Sequence, residues 1–368
     1  MKSPERANNR PAHLDFLSGG GEMGKRIREY DWSSTPLGNL QSWPQSLKTA
    51  TNLVLQSPMP MVMLWGLDGI MIYNDGYSVF AGGRHPQLLG SKVLEGWPEV
   101  VDFNRHVMNE CLAGRTLSYK DTHLILNRNG AAEEVNLDLN YSPIMDETGR
   151  PAGVLAMVVE TTQRTRNERA LNMLRELGTV TFEEKSLETI YHKVAEAIGH
   201  NNKDFPFALV YKVADDGIAT VAASAGVNKL QNVFPDSINT GKPTAITSDF
   251  CFAYLNNRIV VSDIKSTDDS LPRGFWDKAP RQFIHLPVSG PAKHHPYAII
   301  SAALNPYRQF DEVYQQFCQL ISERVALEIN KMLALEEETK KAQALAEIDK
   351  AKTAFFTNIS HEFRTPLT

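Results

Sequence analysis

Two hydrophobic periodicities alternate along this 368-residue chain. In Val135-Asn136-Leu137-Asp138-Leu139-Asn140-Tyr141 every second position is apolar. That pattern predicts a half-buried antiparallel strand, because successive strand side chains point to opposite faces. Met61 to Trp65 and Ile70 to Tyr73 are short apolar runs separated by Gly66-Leu67-Asp68-Gly69, which reads as a tight turn. Further strands are expected at 115–126 and 153–159, the latter reached through Asp146-Glu147-Thr148-Gly149-Arg150. Ahead of them, Asp31 to Gly38 and Trp43-Pro44 read as capped turns, and Leu47, Ala50, Leu53 and Val54 keep the spacing of an amphipathic helix.

A second block repeats the alternation. Leu187, Ile190, Val194, Ala197 and Ile198 form one helical face, followed by expected strands at 207–213, 220–223, 258–261, 283–288 and 297–304 and a closing helix after Phe310. The blocks are joined by an expected helix over 161–178, with Ala170, Leu171, Leu174 and Leu177 on one side and Gly178 as its stop. Its Arg164, Arg166, Arg169 and Arg175 suit either an acidic surface or plain solvation of a linker helix that pairs with its dimer mate.

From Asp311 the chain has almost no proline or glycine until Pro366, so a helix of over fifty residues, or two joined by a slight break, is expected. Leu320, Ile321, Val325, Ile329, Met332 and Leu335 supply its apolar side. Glu336/Lys340 and Glu337/Lys341 are i,i+4 pairs worth only about 0.2–0.5 kcal/mol each. The less apolar stretch 336–347 is a weak seam, and beyond it Ile348, Ala351, Phe355, Phe356 and Ile359 form a broad stripe leading to His361. Such a stripe needs a partner, either the same helix of a second copy or the return helix of a hairpin.

Composition narrows the class. With 42% apolar and 22% charged residues the chain is globular and long enough for two or three domains. A formal charge of −5 gives no argument for nucleic acid. Cys111, Cys251 and Cys318 are too few and scattered for a disulfide framework or a thiolate metal site. No apolar run approaches eighteen residues and the N-terminus lacks an apolar core for export, so a cytoplasmic protein without direct membrane insertion is expected.

The chemistry concentrates in Phe355-Phe356-Thr357-Asn358-Ile359-Ser360-His361-Glu362-Phe363-Arg364-Thr365-Pro366-Leu367-Thr368. An imidazole with a reference pKa near 6.5 is largely neutral at neutral pH and attacks phosphorus through its free nitrogen. Glu362 can hold the proton on the other ring nitrogen, Thr365 lies one turn on at i+4, and Pro366 predicts a kink just after this turn. Ser-His-Glu-Phe-Arg-Thr-Pro-Leu-Thr resembles the H-box of bacterial two-component sensor histidine kinases, simple or hybrid. That resemblance implies phosphorylation of His361, Glu362 as the activating base and Thr365 in the phosphatase reaction. It also implies transfer to an aspartate of a response regulator or receiver domain, and a parallel homodimer through the connector and signalling helices. ATP and Mg²⁺ would be bound by a following catalytic domain. No GxxxxGK[ST] or GxGxxG occurs here, so these residues alone are expected to be inactive.

The first block resembles a PAS domain, in Asn74-Asp75-Gly76-Tyr77, Leu88-Leu89-Gly90 and Glu160-Thr161-Thr162, and the second a GAF domain, in Ile259-Val260-Val261-Ser262-Asp263-Ile264. The expected class is α+β, with an N-terminal extension and helix at 1–51, a PAS-like domain at 52–162 and a connector helix at 163–178. A GAF-like domain at 179–318, a signalling helix at 319–349 and an H-box helix at 350–368 complete the chain. Several ligand readings accompany this. Asp249-Phe250-Cys251-Phe252 matches a short motif of bilin-binding GAF photosensors without their Cys-His pair, and Cys251 is otherwise a structural cysteine. His106 is weighed as a haem ligand against a surface residue, and Cys111 as a small buried hydrophobe. His285, His294 and His295 are weighed as a metal set. The glycines of 16–24 suggest a phosphate cradle or a flexible lead into the first helix. The sensor ligand stays open, as do a small-molecule or photosensory module and a non-enzymatic dimerisation scaffold as the alternatives to a kinase.

Overall fold

The structure is a computed structural model describing residues 16–179, 186–227, 235–264, 271–290 and 295–364, with side chains as far as 356. Two compact units result, 1–167 and 168–368.

In the first unit, α1 (Gly21–Glu29) and α2 (Gln45–Gln56) precede a five-stranded antiparallel sheet. Its strands are β1 (Met61–Trp65), β2 (Ile70–Tyr73), β3 (Leu117–Asn127), β4 (Ala132–Met145) and β5 (Pro151–Glu160), in the order β2-β1-β5-β4-β3. Between β2 and β3 lie α3 (Asp75–Ala81), α4 (Val93–Gly96) and α5 (Val101–Leu112). The runs at β1 and β2 are unbroken because both faces are covered: α2 packs on these strands, and α3 packs on β1. β4 alternates apolar and polar as its sequence does, although Asn136 is also buried. Leu17, Met23, Ile27, Trp32, Trp43 and Leu47 belong to the same core as the sheet, so residues 16–56 are built into this unit. Leu53, expected on the apolar side of α2, is 64% exposed, and Thr51 and Leu55 are buried instead.

Asn74 holds three elements together. Its Oδ1 accepts from the backbone N–H of Met61 and Tyr77, capping α3, and its Nδ2 donates to the carbonyls of Val54, Ser57 and Met59. The neighbouring Asp75 carboxylate accepts from the Glu22 and Met23 N–H groups at the start of α1.

The connector is α6 (Thr162–Thr179). It runs through Gly178, which does not stop it; the Arg324 guanidinium lies where a β-carbon at 178 would sit. Leu171 is 61% exposed and Met173 takes its place in the core with Leu177.

The second unit is a six-stranded antiparallel sheet in the order β8-β7-β6-β11-β10-β9. Its strands are β6 (Ala208–Val213), β7 (Ile218–Ala225), β8 (Ser237–Asn239), β9 (Val260–Asp263), β10 (Gln282–Val288) and β11 (Ala298–Ala303). α7 (Leu187–His200) and the first part of α9 (Glu312–Arg364) share one apolar core with the sheet, and α8 (Ser248–Asn256) packs in a second core on the alternate side chains. β8 and α8 were not anticipated. The central strands therefore bury both faces, with β10 and β11 buried almost end to end, while the edge strands β8 and β9 stay partly exposed.

Candidate functional site

α9 is a single helix of 53 residues with no break. Its root is fixed in the second unit by Tyr314, Phe317, Cys318, Ile321, Val325 and Ile329, all buried, with Met332 partly so. Leu320 and Leu335, expected on that side, are 49% and 62% exposed. From 335 to 356 every side chain is exposed, including Ile348, Phe355 and Phe356 at 64%, 60% and 56%. The expected ion pairs form, Glu336–Lys340 at 2.8 Å and Glu337–Lys341 at 2.6 Å. The backbone stays helical through His361 and Glu362 to Arg364. The side chains of His361 and Glu362, and all of Thr365 and the Pro366 kink, lie outside the described residues.

The first unit holds a partly open pocket of about 50 Å³ between the sheet and α3–α5. By the volume a water needs, this admits about three or four waters, far from the roughly 300 Å³ at which ligand pockets begin. Its wall is apolar, with Leu64, Leu124, Leu137 and Val158 among the lining residues, and carries three polar side chains, Tyr77, Asn104 and Tyr141. Tyr77 Oη accepts from Trp97 Nε1 at 3.1 Å. Burial pushes the Tyr77 and Tyr141 phenols above their usual range, so both stay neutral donors. His106 is exposed on α5 and does not line the cavity, which leaves haem without its ligand there. Cys111 is fully buried, and burial raises its thiol.

The glycine-rich lead at 16–24 is no open phosphate cradle. Asp75 already occupies the N–H groups of α1, and a side chain at Gly21, which has φ +60°, would run into that carboxylate.

On the α8 side of the second sheet, Cys251 is buried, with its Sγ 3.9 Å from the Asn239 carbonyl and its thiol raised by burial. A buried neutral thiol is not poised for chromophore attachment. His285 on β10 is buried too. Its Nδ1 lies 2.9 Å from Ser301 Oγ and its Nε2 3.1 Å from Ser262 Oγ, with Phe250 edge-on and Phe283 stacked. Burial pushes its pKa down to about 3, so it is a neutral imidazole shared between serines. His295 stacks on Tyr254 and His294 lies outside the described residues. Among the described residues no group of three or more His, Cys, Asp or Glu could hold a metal.

Three of the connector arginines pair with carboxylates among the described residues. Arg164 pairs with Asp121 at 2.8 Å, Arg166 with Glu134 at 3.4 Å, and Arg169 with Asp204 at 3.0 Å. Residue patterns alone did not mark the acidic partners. Asp204 sits in Asn201-Asn202-Lys203-Asp204-Phe205-Pro206, where a carboxylate directly before an apolar strand was the available signal. A second cluster closes the first unit: Arg128 binds Glu160 at 2.7 Å and Glu133 at 2.9 Å, and Thr162 donates to Glu160 at 2.8 Å. Burial alone would raise the Glu160 carboxyl, but Arg128 and Thr162 outweigh it and hold it below the usual range. No helix among the described residues is long and apolar enough to cross a membrane.

No protein-family model and no curated protein matches the chain. Solved structures do, partially. The GAF domain of an Acinetobacter phosphoenolpyruvate-protein phosphotransferase is 14% identical over 46% of this chain and 97% of its own, with a TM-score of 0.32. The chromophore-binding domain of a bacteriophytochrome from R. palustris is 13% identical over 76% of this chain and 95% of its own, at 0.33. The fRMsr protein of Staphylococcus aureus is 12% identical over 43% of this chain and 94% of its own, also at 0.33.

Proposed function

We propose that this chain is the input and phosphoacceptor part of a histidine kinase, with a PAS-like first unit, a GAF-like second unit and α9 as its output. In this reading His361 accepts the γ-phosphate of ATP, with ATP and Mg²⁺ held by a catalytic domain. Glu362 holds the proton of the second ring nitrogen during attack, and Thr365 serves the reverse hydrolysis. A response-regulator or receiver aspartate takes the phosphate, and two copies pair in parallel along α9.

The observation that carries this reading is the continuity of α9. One helix is buried at its root among Tyr314, Phe317, Ile321, Val325 and Ile329 and continues, exposed, to the H-box. A rigid helix transmits a displacement of its root along its length, at 1.5 Å per residue, which over the roughly 40 residues from Ile321 to His361 is about 60 Å.

The test is to incubate the protein, as its cell makes it, with γ-labelled ATP. Acid-labile, alkali-stable label is expected on the parent and none on His361→Gln. Equal labelling of the two would refute the assignment, and a parent that never acquires phosphate would leave a dimerisation scaffold as the better reading. The apolar wall and the polar groups of Tyr141 and Asn104 favour a second reading of the first unit, as a sensor of a very small molecule no larger than the roughly three or four waters the site admits. Native mass spectrometry of the purified protein reports any molecule retained there.

A further inference from the structure

The second unit places a buried carboxylate where the connector helix and the output helix meet. Asp204, in the loop after α7, has no solvent exposure. Its Oδ1 accepts from Arg169 Nη2 of α6 at 3.0 Å and from Arg308 Nη1 at 3.1 Å. Its Oδ2 accepts from Arg169 Nε at 3.2 Å and from Asn201 Nδ2 at 3.0 Å. A carboxylate offers about four acceptor positions, and here all four are filled. The backbone carbonyl of the same residue accepts from the hydroxyl of Tyr314, a buried residue in the first turn of α9, and from Asn305 N–H. The Arg308 guanidinium, 3.8 Å from the Tyr314 ring centroid, closes the loop between the two sets of contacts.

We infer that Asp204 is the joint that makes the position of α9 depend on the position of α6. The inference deepens the proposed function, since it rests on α9 being the output helix, and it names how that output is regulated. The physical argument is one of substitution. Arg169 holds the carboxylate in a two-pronged grip, through both Nε and Nη2, and such a grip is lost by small rotations of the helix that carries it. A buried carboxylate left with half its partners is strongly unfavourable, so Asp204 must follow Arg169 or find new donors. The only other guanidinium on it is Arg308 among the described residues, and Arg308 lies on Tyr314. Following Arg169 drags the Asp204 carbonyl away from Tyr314, and turning to Arg308 shifts the plane resting on that ring. Either response is felt at the root of α9, four residues before Cys318, where the helix enters its core.

A merely structural ion pair would stabilise α6 and leave α9 alone, and hydrogen exchange separates the two. In Arg169→Gln of the full chain, amides at 315–322 are expected to exchange at least tenfold faster, while those of α8 stay as in the parent. Arg169 donates to Asp204 on another element, so a change confined to α6 would overturn the inference. Asp204→Asn is expected to loosen α6 and 315–322 together. Where that variant does not fold, Arg169→Lys keeps the charge and removes the two-pronged grip, and a smaller acceleration at 315–322 is expected; none would again overturn the joint. Phosphate labelling plays no part in this measurement. Failed labelling with coupled exchange removes the kinase reading and keeps the joint, whereas normal labelling with uncoupled exchange removes the joint alone.

Discussion

His285 shows how far burial sets the chemistry of a single side chain. In sequence it is one of three histidines that suggest a metal. In the sheet it faces two serines and two aromatic rings, and its pKa is pushed down to about 3 by desolvation. The folded protein therefore keeps it neutral while the unfolded chain protonates it near the usual value of about 6.5. Below that pH the unfolded state binds more protons, so stability is fully present above about 6.5 and falls as the pH drops towards 3. Each unit in this window costs about 1.4 kcal/mol, and by pH 4.5 the loss from this one residue is about 2–3 kcal/mol relative to neutrality. Carboxylates elsewhere also weaken the fold in acid, so the variant His285→Gln is the control, its amide able to serve both serines. Between pH 7 and 4.5 the second unit of the parent is expected to lose more stability than the variant does, read as the difference in denaturant midpoint at each pH. Parallel losses in the two proteins would show that His285 carries no proton linkage.

At the scale of elements, α9 carries the largest unpaid exposure. Ile348, Phe355 and Phe356 are all more than half exposed on a helix with no neighbour over that stretch among the described residues. Burying one such side chain contributes about 1.5–3 kcal/mol, or roughly ten- to hundredfold in a dissociation constant. If the parallel pairing of the proposed function is right, Ile348→Glu with Phe355→Glu weakens self-association by at least about a hundredfold in sedimentation equilibrium and leaves the melting of the second unit unchanged. An unchanged association constant would mean that the pairing lies elsewhere. These elements also show what a sequence discloses. β4 was legible because Val135, Leu137, Leu139 and Tyr141 alternate with polar residues against a core, and α7 because its apolar residues keep to one face. α8 was not, since Phe250, Phe252, Ala253, Tyr254 and Leu255 are apolar around most of the helix while Phe252 and Leu255 stay exposed. β8 is three residues long and, among the described residues, pairs only with β7, too little for any period. The connector misled at Leu171 because its tertiary neighbours chose Met173, and at Gly178 because a guanidinium, absent from the local sequence, fills the place of a side chain. The H-box histidine was legible as a motif, whereas the Asp204 cluster rests on bonds between residues as much as 110 positions apart and has no local period at all.

Over the whole molecule, the feature that decides behaviour is that the helix α6 runs unbroken across the boundary between the two units. The first core gathers residues from Leu17 to Val158, and the second cores gather theirs from Met173 onward. α6 is divided between them, since the unit boundary falls between Asn167 and Glu168 inside the helix. Each side of the cut keeps its own anchors. The first retains the Arg128–Glu160–Thr162 cluster and the pairs from Arg164 to Asp121 and Arg166 to Glu134. The second retains Met173, Leu177 and the Arg169–Asp204 pair on the twelve helical residues from 168 to 179. A domain of about 150 residues buries some 68–70% of the surface of its unfolded chain, enough to fold alone. Residues 1–167 and 168–368 produced as separate chains are therefore each expected to melt cooperatively, within a few degrees of the corresponding transition of the intact protein. Cutting α6 should nevertheless abolish any response of residues 315–322 to changes made in the first unit, because the helix that would carry the displacement to Arg169 no longer reaches it. A half that is unfolded alone would show that the cores depend on each other, and a response surviving the cut would show that α6 is not the path.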